Sequence, residues 1–130
     1  MTMVTEVTKG IKISVDTQFQ PDHSNAKNSL YLFSYRVQIE NGSDKAVKLM
    51  SRKWFIYDAN GFVRKVEGEG VIGEQPVIGP GETHQYSSAC DLNTDMGKMW
   101  GTYLMQSVNN GDQFRVNIPE FKMVVPHRLN

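Results

Sequence analysis

The sequence has little of what several large classes of protein require. Its 130 residues contain one cysteine, Cys90, so no disulfide can form within the chain. No apolar run approaches the ~18 residues of a membrane-spanning helix. The first twelve residues are polar and lack the apolar stretch of a secretory signal. These absences predict a cytoplasmic protein with no membrane association.

The chain also lacks an excess of charge of either sign. Its 14 basic and 14 acidic side chains cancel, and the isoelectric point lies near 6.8. This balance disfavours a nucleic-acid binder and a polybasic membrane-surface protein. The length fits one domain, residues 1–130, which can bury a core without metals or disulfides.

Hydrophobic residues recur at every second position, which is typical of strands with one buried face. Turn signals rich in Gly, Asn and Asp lie between these runs and recur at a spacing of about 8–12 residues. Leu92–Met99 is expected to form at most one helical turn. The pattern predicts an all-β sandwich of two antiparallel sheets. The predicted strands are 11–19, 31–39, 47–57, 62–66, 83–88, 99–108 and 114–118, with 121–125 following an interruption at Pro119.

A glycine-rich segment, residues 67–82, contains a literal G-x-G-x-x-G at Gly68, Gly70 and Gly73. In dinucleotide-binding folds this motif works because a helix N-terminus behind it holds the phosphates. Here Gln75 and Pro76 follow, without a helical pattern, and three glutamates add negative charge. The three glycines are therefore predicted to shape a loop and to be only a weak candidate for an anion site.

No other cluster of residues predicts chemistry. His23, His84 and His127 are far apart in sequence, and no spacing typical of a metal site is present. Cys90 lacks basic sequence neighbours that would lower its pKa, so it is expected to be an inert, structural thiol. We therefore expect no catalytic residue, no metal and no cofactor. An enzyme would become plausible again if His84 lay within hydrogen-bond reach of Cys90.

The sequence resembles the ApaG family from about Val7 to Val124. The most specific stretch is GEGVIGEQPVIGPGE, at 68–82, and further agreement follows the same order along the chain. The matching runs are YRVQIEN at 35–41, YSS at 86–88, LNT at 92–94, GKMWGTYLM at 97–105 and FRVNIPEF at 114–121. Two positions depart from the family pattern: Lys53 replaces a common His, and Asp95 replaces a common Pro.

The resemblance implies a fibronectin type III-like, immunoglobulin-like β-sandwich and a stand-alone bacterial protein. Similar eukaryotic domains are appended to an F-box protein and to a polymerase-delta-interacting protein, which implies partner binding. The bacterial family is associated with cobalt tolerance and magnesium efflux. Because Lys53 replaces the common His, the resemblance does not imply a site built on that His in this chain.

These observations favour a non-enzymatic binding module that recognises an unidentified protein through a groove beside residues 67–82. An unpaired sheet edge can accept an added strand. Trp54, Trp100 and Tyr103 are the candidate anchors. The alternative is a protein that binds a small anion or a metal–phosphate species and serves cobalt or magnesium homeostasis. The sequence leaves self-association into a homodimer open.

Overall fold

The computed structural model describes residues 3–126, and these residues form an all-β sandwich of two antiparallel sheets. This architecture confirms the predicted fold class. Single turns of 3₁₀-helix at Pro21–His23 and Ala26–Asn28 lie between the second and third strands. The strands of the described residues are β1 (Val4–Thr8), β2 (Ile11–Phe19), β3 (Tyr31–Asn41), β4 (Val47–Asp58), β5 (Val63–Glu69), β6 (Val77–Ile78), β7 (Thr83–Leu92), β8 (Met96–Ser107) and β9 (Gln113–Val124).

The two sheets have the strand orders β1-β2-β3-β7 and β5-β4-β8-β9. Strands β5 and β6 both pair with β4, β5 along 51–57 and β6 at Val47 and Lys48. The glycine-rich segment connects these two strands and therefore runs along one edge of the second sheet. Within residues 3–126, no helix is long and apolar enough to cross a membrane.

The core lies between the sheets because alternate side chains of every long strand point inward. Trp54 is central to it, with its ring packed edge-on against the rings of Tyr35 and Phe121 at centroid distances of 5.6 and 5.9 Å. Such pairs stabilise a core beyond the area that they bury. The largest fully buried side chains are Tyr103, Phe33, Ile11, Ile13, Ile39, Leu49, Ile78, Leu92, Met99, Met105, Met123 and Val15.

Strand β9 continues through Pro119, where the sequence predicted an interruption. The pairing of β8 with β9 shifts between Met99 and Gly101, so β9 accommodates an extra residue opposite Trp100. A bulge on an edge strand tolerates proline because the missing amide need not join the ladder. The two predicted pieces are therefore one strand.

Strand β1 was not predicted, although its signal is present. Val4, Thr5, Val7 and Thr8 are β-branched, and β1 is joined to β2 by Lys9 and Gly10. Both of these turn residues take positive φ, 51° at Lys9 and 82° at Gly10, as a tight hairpin turn requires. A lysine at the first of these positions is uncommon, which weakens the sequence signal.

No helical turn forms after β7. The buried carboxylate of Asp58 instead accepts hydrogen bonds from the amides of Asn93 at 2.8 Å and Thr94 at 3.0 Å, and from the Thr94 hydroxyl. This carboxylate therefore satisfies the backbone amides of the turn that leads directly into β8.

Candidate functional site

The two lateral sides of the sandwich differ. On one side β1 lies against β9, where Asn117 donates hydrogen bonds to Thr8 Oγ1 at 3.2 Å and to Glu6 Oε2 at 3.0 Å. On the other side β5 pairs only with β4 and β7 only with β3 among the described strands. Each therefore leaves one edge of its backbone without a strand, and this is the open side of the sandwich.

A groove lies between the sheets on the open side, and we call it the β5–β7 groove. Its volume is about 230 Å³. Its base is formed by side chains of β3, β4 and β8, and its rims by residues of β5 and β7. The lining residues are Tyr35, Arg52, Trp54, Ile56, Arg64, Val66, Ser88, Ala89, Cys90, Asp91 and Met99.

Arg64 bridges the groove at one end. Its guanidinium donates to the Asp91 carbonyl, and it faces the Asp91 carboxylate at 3.5 Å. The two side chains are about half exposed, so this ion pair contributes little to stability. The contact shows that the edges of β5 and β7 approach each other here.

Arg52 contacts the glycine-rich segment at the other end of the groove. Its Nη1 donates to the carbonyls of Glu69 and Gly70, both at 3.0 Å. Gly68 makes room for this guanidinium, since a Cβ at residue 68 would lie 2.8 Å from Nη1. Gly68 thus has a steric role that the sequence motif alone does not reveal.

The centre of the glycine motif is a tight turn. Val71 and Glu74 exchange backbone hydrogen bonds of 2.8 and 3.0 Å, and the Gly70 amide donates to Met50 at 2.9 Å. Between them, Ile72 and Gly73 both take positive φ, 48° and 73°. The amides of Gly70, Val71 and Glu74 are therefore already bonded to protein carbonyls. A strand and a turn, with no helix, surround the motif, which supports a structural role for these glycines.

Tyrosine hydroxyls meet in the core beside the groove. Tyr86 and Tyr103 share a hydrogen bond between their hydroxyls, and burial raises the pKa of both phenols above the ordinary value. Burial likewise raises the pKa of Tyr35. Groups that stay protonated well above neutral pH are poor general bases, so these tyrosines act as neutral hydrogen-bonding groups.

Cys90 is 7% exposed, and burial raises the pKa of its thiol to about 11 despite the nearby Arg64 guanidinium. A buried thiol of high pKa is a weak nucleophile. His84 lies on the same strand, six residues away, and an extended strand separates such positions by about 20 Å. The side chains of His84 and Cys90, whose contact would have supported an enzyme, are therefore not brought together.

The three predicted anchors lie in two different places. Trp54 and Tyr103 are core residues, 3% and 0% exposed, but the edge of Trp54 lines the base of the groove and Tyr103 does not. Trp100 lies on the outer face of the second sheet, where its ring stacks on Phe55 at 5.6 Å with Lys98 above it. That face points away from the β5–β7 groove. The expectation that these side chains anchor a partner in the groove is wrong for Tyr103, which is fully buried, and for Trp100, which lies on the other face. For Trp54 it stays a prediction, since this residue lines the groove.

The sequence reasoning missed a run of exposed apolar side chains in the segment that contains β5 and the glycine motif. Half of the ten large hydrophobic residues exposed in the described chain fall within 62–77. They are Phe62, Val63, Val66, Ile72 and Val77. The signal in the sequence is the presence of several large apolar residues in a segment that is otherwise rich in glycine and charged residues. Clustered exposed apolar residues mark interaction surfaces more often than scattered ones do.

Metal ligation has no support among residues 3–126, where no three His, Cys, Asp or Glu side chains come close enough to hold an ion. His23 and His84 fall within this range, whereas His127 lies outside the described residues.

The fold and the open side define a class: a two-sheet β-sandwich in which a glycine-rich segment follows one free edge. A family model, the ApaG domain, matches residues 21–107. Protein ApaG from Brucella anthropi is 45% identical over 126 residues, covering 97% of this chain and 96% of the relative. The protein of the same name from Brucella canis is 44% identical over the same length and shares. The chain therefore belongs to the ApaG family.

Solved structures agree with this assignment. The crystal structure of the putative ApaA protein from Bordetella pertussis superposes with a TM-score of 0.86 at 39% identity, covering 89% of this chain and 94% of that one. The C-terminal domain of wzt has a TM-score of 0.56 at 10% identity, covering 95% of this chain and 77% of that one. At that identity the second likeness shows the fold alone.

Proposed function

We propose that this ApaG family protein is a non-enzymatic cytoplasmic module that binds an extended segment of a partner protein in the β5–β7 groove. The observation that carries the proposal is the asymmetry of the sandwich: β1 packs against β9 on one side, whereas on the other side β5 and β7 are bridged by Arg64 at one end and leave a groove between them. An open edge offers backbone donors and acceptors to an added strand.

The size of the groove favours side chains over a free small molecule. Pockets for small ligands usually enclose about 300–1,000 Å³, and this groove encloses about 230 Å³. That volume suits one or two side chains of a segment whose backbone stays at the rim. The apolar base at Trp54, Ile56 and Met99 favours an apolar side chain. Arg52, at the end of the groove, favours an acidic neighbour on the same segment.

Ile72 supports the proposal independently. A β-branched residue at positive φ is a genuine outlier, yet Ile72 takes φ 48° and is 61% exposed at the tip of its turn. The conformation costs stability, and most of the side chain stays exposed. A partner that covers Ile72 would offset this cost.

The anion-binding alternative has less support. Three amides of the glycine motif are already bonded to protein carbonyls, and Glu67, Glu69 and Glu74 keep negative charge around the motif. Each close contact of like charge near a protein surface costs on the order of 1 kcal/mol or more. A cobalt or magnesium role would need a ligand set that residues 3–126 do not assemble.

Site-specific photo-crosslinking in the native cell tests the proposal. A photoreactive amino acid replaces Ile72, at the tip of the turn in the glycine-rich segment, or in separate variants Val7 on β1 or Val108 after β8. The two control positions are as exposed as Ile72, at 59% and 55% against 61%. We expect one discrete adduct with another protein from position 72, joined through a single segment, and none from the controls. Equal adducts from all three positions, or none from 72, would contradict the proposal.

A further inference from the structure

The backbone of β5 presents a defined row of hydrogen-bonding groups to its free edge. The Gly70 amide donates to the Met50 carbonyl, and the Asp58 amide donates to the Phe62 carbonyl, both at 2.9 Å. These bonds fix the register with β4, so even-numbered residues of β5 bond to β4. In an antiparallel ladder the intervening residues point their amides and carbonyls the other way. The free edge therefore carries the backbone groups of the odd-numbered residues, from Val63 to Glu69, of which the Glu69 carbonyl already accepts from Arg52.

The side chains of β5 follow the same alternation. Val66 lies opposite the buried Trp54 and so faces the groove side, where it is 40% exposed. Lys65 and Glu67 flank it on the outer face and pair with each other at 2.9 Å. The free edge thus displays a base and an acid placed symmetrically about an apolar residue.

We infer that two copies of this chain associate through β5, antiparallel, with a two-fold axis at Val66. In this register Lys65 faces the partner's Glu67, and Glu67 faces the partner's Lys65. Each of these is a pair that exchanges two backbone hydrogen bonds, and Val63 lies opposite the partner's Glu69, whose amide points to the same edge. The two Val66 side chains meet at the axis, in the kind of pair where side chains approach most closely. The interface is self-complementary, as a two-fold dimer requires.

Neighbouring symmetric registers are disfavoured by charge. Moving the axis to Lys65 places that ammonium opposite its own copy, and moving it to Glu67 does the same for the carboxylate. Like charges directly opposite on paired strands are destabilising, whereas opposite charges stabilise. Charges on an edge strand usually deter pairing. Here their order permits one register with the same chain, and that register joins the second sheets of two molecules into one continuous sheet.

The interface is short, seven residues on each chain, so we expect a reversible dimer of modest affinity. Stable interfaces bury about 1,200–2,000 Å², and a single strand pair provides less than that. The inference does not rest on the proposed partner. Both use the free edge of β5, so a partner segment bound there would compete with the second copy.

Analytical ultracentrifugation of the purified full chain, from about 10 µM to about 1 mM at low salt, tests the inference. We expect a monomer–dimer equilibrium in the wild type. Lys65→Glu places acids at both 65 and 67, the positions that face each other across the interface, and Glu67→Lys places bases at both. Each single variant should weaken the dimer at least tenfold, and the double variant, which exchanges the two charges, should restore it.

Mixing the two single variants gives the most discriminating result. Each variant repels itself, but an equimolar mixture brings two acids opposite two bases in the same register. The mixture should therefore form a heterodimer at least as tight as the wild-type dimer. Lys122→Glu, on the exposed face of β9, changes the net charge as Lys65→Glu does, but away from the edge of β5. It should therefore leave association unchanged.

Circular dichroism and urea unfolding of each variant verify the fold, which these exposed positions should not disturb. A wild type that stays monomeric to about 1 mM would overturn the inference. So would association that the single variants leave unchanged, or a mixture that remains monomeric while each variant is folded.

Discussion

Replacing Gly70 with alanine places a methyl group where the glycine-rich segment has no room for it. An added Cβ would lie 1.9 Å from the Glu74 carbonyl oxygen, and the residue has φ +58°. The turn must therefore open, which breaks the hydrogen bond from the Val71 amide to Glu74. Val71, 1% exposed, is then pulled from the core.

The expected loss follows from these contacts. The left-handed conformation costs an alanine about 1–2 kcal/mol, the broken hydrogen bond about 1 kcal/mol, and partial exposure of Val71 about 1 kcal/mol more. We expect Gly70→Ala to lower the free energy of unfolding by about 3–4 kcal/mol. Gly73 is the matched control because it has φ +73° but nothing within 4 Å of an added Cβ. Gly73→Ala should cost only about 1–2 kcal/mol.

Urea unfolding followed by tryptophan fluorescence measures both variants, since Trp54 is buried in the core. The difference between them, about 2 kcal/mol, isolates the steric contact from the backbone conformation. If Gly70→Ala proved as stable as Gly73→Ala, the close approach of the Glu74 carbonyl to Gly70 would be wrong.

Four further outcomes are expected. Ile72→Asn should raise the free energy of unfolding by about 1 kcal/mol, because Asn-Gly suits a turn with two positive φ values; no gain in urea unfolding would argue against strain at Ile72. Alkylation of native Cys90 at pH 8 should be about a hundredfold slower than in the unfolded chain, because a pKa of about 11 against 9.0 leaves that much less thiolate; equal rates would show an accessible thiol. Asp58→Asn should cost about 1–3 kcal/mol, because an amide cannot accept all the bonds from Asn93 and Thr94, whereas Asp44→Asn should be nearly neutral. Calorimetric titration with ATP, NAD or pyrophosphate, with and without magnesium, should show no binding tighter than about 10 µM; such binding, lost in Gly70→Ala, would favour the anion-site alternative.

The fold was predictable because strand periodicity is a local property of the sequence. The alternation from Tyr31 to Ile39 predicts a strand with one buried face, and residues 31–41 form one. Strand ends were less predictable. Strand β7 continues to Leu92, beyond the predicted end at 88, because pairing with β3 and burial of Cys90 and Leu92 extend it.

The candidate site was less predictable because it depends on which strands become neighbours across the sandwich. Arg64 and Asp91 are 27 residues apart, and only the packing of the two sheets brings them together. Trp54 and Trp100 look alike as candidate anchors in the sequence, yet the alternation of β4 and β8 places one inside and one outside. An aromatic residue on a strand of unknown facing cannot be assigned to core or surface.

Amide hydrogen exchange of the isotopically labelled protein, with and without the partner segment identified by crosslinking at position 72, tests the central claim most directly. Protein concentration is kept below that at which the chain dimerises. We expect slowed exchange at the free edges of both β5 and β7, because the segment lies between them, whereas self-association would slow exchange at β5 alone. Protection on the outer face around Phe55 and Trp100, with β5 and β7 unchanged, would contradict the account.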